Sequence, residues 1–150
     1  MSGAPARLLP GTVLRHSRFY LDRATGEYKP KFLLVLAPVR GGDHVVRLLT
    51  SRHANLRREQ PPCDHGEPYP GFYLGVLDTA RGLGKKSWLD LRGLQDADGV
   101  ESARLLGNGT LTIVMQLPAA LLAPAVRCVA AADDTTQAQE QALLDYAATL

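Results

Sequence analysis

Two short apolar runs dominate the hydrophobic pattern of this chain, Phe32-Leu33-Leu34-Val35-Leu36-Ala37 and Val45-Val46-Arg47-Leu48-Leu49. Both are rich in branched residues, and Pro38 and Gly41-Gly42 separate them, so the stretch Lys29 to Arg52 predicts a pair of antiparallel strands. Gly11 to Leu14 reads as an earlier short strand, followed by a polar, basic loop from Arg15 to Tyr28. Phe72 to Leu77 reads as a fourth strand. Ser87-Trp88-Leu89-Asp90-Leu91 alternates strictly and predicts a half-buried fifth, with Trp88 and Asp90 on one face. Thr110 to Val114 reads as a last strand. Residues 53–71, with four prolines and two glycines between Arg57 and Gly71, keep no periodicity and predict a long loop.

After a polar segment from Arg92 to Gly109, the period changes. Pro118 opens a helical stripe of Leu117, Leu121, Leu122, Ala125, Val126 and Val129, which Pro124 should kink or divide. A final helix is expected from Asp133 to Ala148, with Asp133, Asp134 and Thr135 as candidate caps and Leu143, Leu144 and Ala147 as its stripe. Strands first and helices afterwards predict a mainly β fold, a small antiparallel sheet or barrel with C-terminal helices. The expected organisation is a flexible arm over residues 1–10 and one domain over 11–150, helical from about residue 117.

Composition narrows the function classes. At 150 residues, 45% hydrophobic and 21% charged, the chain suits one soluble domain. A net charge of +2 supplies no strong whole-molecule field, so any attraction to nucleic acid has to come from local clustering. Such a cluster exists: between residues 15 and 59, ten Lys or Arg stand against four Asp or Glu. No apolar run is long enough for a membrane span, and no secretory leader is recognisable, so a cytoplasmic protein without a membrane partner is expected. Cys63 and Cys128 suggest no disulfide framework, and two reduced thiols are the expected state.

The chemistry sits at the ends of the two central strands. The first begins with Lys29 and Lys31, and the second ends in Thr50, Ser51, Arg52 and His53. In an antiparallel pair the start of one strand lies beside the end of the next, so these residues should gather at one rim.

Four stretches resemble the PemK/MazF-like family of bacterial toxins. Gly11-Thr12-Val13-Leu14 is similar to its opening Gly-x-Val strand. Lys29-Pro30-Lys31-Phe32-Leu33-Leu34-Val35 resembles its basic-Pro-x-aliphatic strand. Val45 to Ser51 resembles an aliphatic strand ending in Thr-Ser, and Lys85 to Leu91 with Leu94 to Asp98 resembles a late strand and the loop after it. The resemblance implies an SH3-like barrel, a homodimer, a protein antitoxin and a metal-independent endoribonuclease acting on single-stranded RNA, with no cofactor. Family members usually place Arg-Pro where this chain has Lys29-Pro30, with Lys31 as the alternative in a shifted register.

Cleavage of this kind uses the ribose 2′-hydroxyl as nucleophile and needs a base, an acid and a cation for the phosphate charge. The catalytic candidates are Lys29, Lys31, Thr50, Ser51, Arg52 and His53, with Arg47, Tyr69 and Phe72 as substrate contacts. Arg52 or Lys29 would neutralise the phosphate, Thr50 and Ser51 would hold its oxygens, and His53 or His65 would move the proton. Cys63-x-His65 offers two metal ligands where a closed zinc site needs four, and Cys128 falls in an apolar helical stripe, so no metal is expected. Asp96-Ala-Asp98 reads as a solvated turn, and the glycine pairs lack the context of a phosphate loop.

Overall fold

A computed structural model describes residues 8–53 and 56–150. Its strands are β1 (Thr12–Asp22), β2 (Glu27–Pro38), β3 (His44–Thr50), β4 (Cys63–Asp64), β5 (Gly71–Gly75), β6 (Ser87–Asp90) and β7 (Leu111–Gln116). Its helices are α1 (Gly99–Gly107), α2 (Ala119–Ala130) and α3 (Gln137–Ala147). The strands form one sheet in the order β4-β5-β6-β3-β2-β1-β7, and every ladder is antiparallel. The mainly β expectation is met. The sheet does not close into a ring, however: β4 and β7 are its two edges.

Both faces of the sheet are covered, which explains why Phe32 to Ala37 is a continuous apolar run rather than an alternating one. Leu34 and Leu36 point into the larger core, with Val45 and Leu49 of β3, under Leu122, Val126 and Val129 of α2 and Leu143 of α3. Leu33 and Val35 point the other way, into a smaller core with Leu14, Val46 and Leu111, backed by Leu105 and Leu106 of α1. Leu8 is buried in this second core, so the expected arm over 1–10 is anchored at that point, while residues 1–7 lie outside the described residues.

Several elements depart from the sequence reading. The expected loop from Arg15 to Tyr28 is instead the outer half of a long β1–β2 hairpin. Its residues are polar because it extends past the covered part of the sheet, and a register shift between His16 and Tyr20 breaks the alternation that would have marked a strand. The polar segment 92–109 contains α1, started by Asp98, whose carboxylate accepts from the Glu101 amide at 2.8 Å. Pro124 lies within α2 without dividing it. The cap of α3 is Thr136 rather than its neighbours: it forms a capping box with Gln139, and Leu143 and Ala147 are buried while Leu144 is 48% exposed. No described helix is long and apolar enough to cross a membrane.

Arg47 is the main surprise. It lies mid-strand in β3 with no exposure, so it cannot contact substrate as the sequence reading proposed. Its guanidinium donates to the carbonyl of Val46 at 2.8 Å, the carbonyl of Leu94 at 3.3 Å, Gln139 Oε1 at 3.1 Å and Thr135 Oγ1 at 3.4 Å. Gln139 also donates from Nε2 to Leu94 O and to Asp96 Oδ1, at 3.0 and 2.9 Å. Burial lowers the Arg47 pKa, partly opposed by Asp96, Asp134 and Asp90.

Removing one partner of a buried charge is costly, whereas removing the charge itself often is not. Gln139→Leu strips Arg47 of its side-chain amide acceptor and is expected to destabilise the fold by roughly 3 kcal/mol. Arg47→Met keeps the volume, and Gln139 retains Asp96, Leu94 and Thr136, so its cost should be below roughly 1.5 kcal/mol. Urea unfolding of the two variants checks the order, and a larger loss from Arg47→Met would refute it.

Candidate functional site

β3 ends at Thr50, and the chain turns at once through Ser51 and Arg52. The turn is fixed locally, because Thr50 Oγ1 accepts from the Arg52 amide at 3.1 Å. The β2–β3 register runs Leu33↔Leu48, Leu34↔Arg47 and Val35↔Val46. Carried two residues further, it sets Lys31 opposite Thr50. Four of the six expected rim residues gather: Lys31, Thr50, Ser51 and Arg52 all line one open pocket of about 180 Å³.

The remaining wall comes from a segment the sequence reading left outside the site. Lys85 and Ser87, at the start of β6, complete the pocket, and Phe32, Leu49 and Leu83 form its apolar part with Gly82. Gly82 sits at φ 86°, and a β-carbon there would come within 3.2 Å of the Phe32 ring, so backbone and ring meet closely only because the residue is glycine. Lys85 could have been found from sequence, since Lys85-Lys86-Ser87 immediately precedes the alternating strand.

Among the described residues, the pocket is lined by three cations and three hydroxyls, and by no carboxylate or imidazole. Lys31 feels this most. Desolvation by burial lowers its amine pKa below the usual lysine range, Arg52 lowers it further, and Asp90 partly restores it. Asp90 does not neutralise the pocket, because it is already clamped by Arg92. It accepts from Arg92 Nε at 3.0 Å, from the Arg92 amide at 3.0 Å and, through its second oxygen, from Nη2 at 2.6 Å.

Three other proposed site residues fall elsewhere. Lys29 does not line the pocket. β2 starts at Glu27, so Lys29 pairs with Tyr20 on the projecting hairpin and lies 4.0 Å from Glu27. His53 follows the rim in sequence but turns inward to 2% exposure, against Tyr69 and Trp88 with ring centroids 5.6 and 6.4 Å away. Gly71 makes room for it, since a β-carbon there would approach the imidazole to 3.0 Å. Burial lowers the His53 pKa, favouring the neutral ring. Phe72 is a core residue at 2% exposure and has no face for a base, whereas Tyr69 is 38% exposed and remains accessible. The half-buried alternation expected of β6 is not found: Ser87, Trp88, Leu89 and Asp90 are all buried, with Trp88 against Tyr73 and His53.

The carboxylates have structural partners. Asp96 holds Gln139 and Asp98 caps α1. The cysteines correct a further expectation: Cys63 and Cys128 are joined in a disulfide across 65 positions of sequence. β4 lies against α2, a proximity no local pattern could reveal, and the bridge removes the ground for expecting two free thiols. His65 stands beside it, its Nε2 3.5 Å from Cys63 Sγ and 3.6 Å from Cys128 Sγ.

No protein-family model, no curated protein and no solved structure matches this chain.

The electrostatics of the pocket give a direct check. Because Lys31 is held below the ordinary lysine range, its charge, and with it part of the pocket's attraction for anions, is lost as pH rises through that lowered value. Arg52→Gln removes the repelling cation and is expected to move the Lys31 titration upward towards that of a free lysine. NMR titration of the lysine side chains between neutral and strongly alkaline pH reads the shift, and an unchanged midpoint would mean that the two cations do not share the pocket.

Proposed function

We propose that this protein is a metal-independent endoribonuclease acting on single-stranded RNA, of the PemK/MazF-like kind, and the toxin of a toxin–antitoxin pair. One observation carries the reading: a pocket at the end of β3 lined by Lys31, Arg52 and Lys85, with Thr50, Ser51 and Ser87 and no acidic residue. A surface so composed attracts a phosphodiester and does not repel the extra charge of its transition state. The family's SH3-like barrel, homodimer and protein antitoxin belong to the same proposal, as does a cytoplasmic setting for the RNA substrate. Tyr20, Leu21 and Tyr28, exposed on the projecting hairpin, supply apolar surface for protein partners.

In this mechanism Arg52 and Lys85 hold the non-bridging oxygens as the 2′-oxygen attacks phosphorus and the 5′-oxygen leaves. Thr50 and Ser51 orient the phosphate through hydroxyl donors. Lys29 matches the position of the family's arginine and Lys31 is its shifted-register alternative; of the two, Lys31 lines the pocket and takes that role in this reading. As an ammonium in the pocket it can give a proton to the leaving 5′-oxygen, while the proton of the 2′-hydroxyl passes to solvent water. Tyr69 offers a face for a flanking base.

A second reading has its own support. Neither imidazole nor carboxylate lines the pocket, which suits a module that binds RNA without cutting it.

Incubating the purified chain with a long single-stranded RNA in EDTA decides between them. For the nuclease, Lys31→Ala and Arg52→Ala are each expected to slow cleavage by roughly 10²–10³-fold, the usual cost of losing one transition-state donor. Lys29→Ala should stay near the parent rate. RNA that is bound but left intact would favour the binding module, and RNA neither bound nor cut would overturn both. Growth arrest on expression, rescued by a neighbouring reading frame, would separate a toxin from a housekeeping nuclease.

A further inference from the structure

The cluster of Cys63, His65 and Cys128 shares no residue with the pocket lining, and the nuclease reading makes no use of it. Cys63 opens β4, His65 follows two residues later in the proline-rich loop, and Cys128 projects from the last turn of α2. Their three donor atoms all lie within 4.8 Å of one another. Soft sulfur and imidazole donors are the set that selects zinc among the common divalent ions.

The geometry of the imidazole is the deciding feature. Zn–S and Zn–N bonds of about 2.3 and 2.05 Å at tetrahedral angles require a sulfur–nitrogen separation of about 3.5 Å. His65 Nε2 stands 3.5 Å from one sulfur and 3.6 Å from the other, so it already holds that spacing to both cysteines. On reduction the two sulfurs have to part to admit the ion between them, while the imidazole is already at bonding range of the site. Nε2 also lies 3.0 Å from the Cys128 carbonyl oxygen, a contact that metal ligation would replace.

We propose that, once reduced, Cys63, His65 and Cys128 bind a zinc ion, so that the loop is stapled to α2 by a disulfide under oxidising conditions and by metal under reducing ones. The exchange balances. A dithiol reductant gives two electrons and two protons to the disulfide, leaving two thiols and an oxidised dithiol. Zinc then binds both sulfurs as thiolates and releases the two protons to solvent. His65 ligates as the neutral ring through Nε2. The fourth position faces solvent, because His65 and the residues after it are exposed, and takes water or an incoming ligand. The two thiolates match the charge of the ion, leaving a neutral centre that the neighbouring Asp64–Arg57 pair, at 3.7 Å, does not unbalance.

The test uses the full chain, reduced with an excess of a non-chelating phosphine and titrated with Co²⁺ and Zn²⁺ under anaerobic conditions. One Co²⁺ per chain is expected, with a thiolate-to-cobalt charge-transfer band and tetrahedral d–d bands that Zn²⁺ displaces. The oxidised chain should show neither. His65→Ala keeps both thiols and alters an exposed position, and it should weaken metal binding by at least the roughly hundredfold that loss of even an outer partner can cost. Cys63→Ser should abolish the charge-transfer pattern of two thiolates. Should the reduced chain be partly unfolded, Zn²⁺ is expected to raise its thermal midpoint, and not that of His65→Ala. Two free thiols with no cobalt uptake would overturn the proposal. So would affinity and spectra unchanged in His65→Ala. None of these readings depends on RNA cleavage, so the zinc site and the nuclease can fail separately.

Discussion

The rest of this structure depends on a charge placed where charges are expensive. Arg47 is wholly buried in β3, and its two terminal nitrogens donate to carbonyls, a hydroxyl and an amide rather than to a carboxylate in contact, while its Nε has no partner. Desolvation of a guanidinium is tolerable only if its donors find fixed acceptors, so three separated parts of the chain must arrive together. They are the strand itself, the loop at Leu94 to Asp96 and the start of α3. Gln139 closes the arrangement by serving both the helix cap and the arginine. The helix that covers much of the core is thereby set in register against β3, and Thr50 to Arg52 emerge from the far end of that same strand.

The pocket owes its character to where the acids are, more than to how many bases the chain carries. With a net charge of +2, the molecule has nearly as many acids as bases. Four of those near the sheet are held by other groups: Asp90 by Arg92, Asp96 by Gln139, Asp98 by α1 and Asp43 by the Gly99 amide at 2.9 Å. A carboxylate fully occupied by a short, bidentate partner contributes little field beyond it, whereas Lys31, Arg52 and Lys85 share the pocket without an acid in its lining. Local bookkeeping of partners, and not whole-chain charge, makes the rim basic.

The sequence revealed what depends on neighbours along the chain and concealed what depends on distant ones. The central pair of strands, β6, the later helices and the gathering of Lys31 with Thr50 to Arg52 could all be read from periodicity and strand direction. Lys29 was misplaced because strand ends are not visible in a basic, polar run: β2 begins two residues before it, and a shift in β1 carries it out along the hairpin. Arg47 and His53 were misread for a different reason. Polar residues on or just after an apolar strand suggest function, yet here acceptors from Leu94 and Gln139 let Arg47 be buried, and a glycine at position 71 makes room for the His53 ring. The disulfide was hidden for the plainest reason, since nothing local couples β4 to a helix 65 residues later.

That long separation also explains why the loop matters. Residues 56–70 carry little periodic apolar surface, so packing alone holds them weakly, and their order rests on polar ties. Arg57 provides one set, donating from Nε to the Tyr69 carbonyl at 2.8 Å and from Nη2 to the Gly66 carbonyl. The cross-link to α2 provides the other. Closing a loop of 65 residues removes enough unfolded-state freedom to be worth about 4 kcal/mol in the chain-entropy account. That account counts the constraint and is indifferent to its chemistry, so a metal held by the same side chains would restrain the unfolded chain in nearly the same way. Tyr69, which covers His53 beside the candidate site, would then keep its position whichever link the surroundings permit.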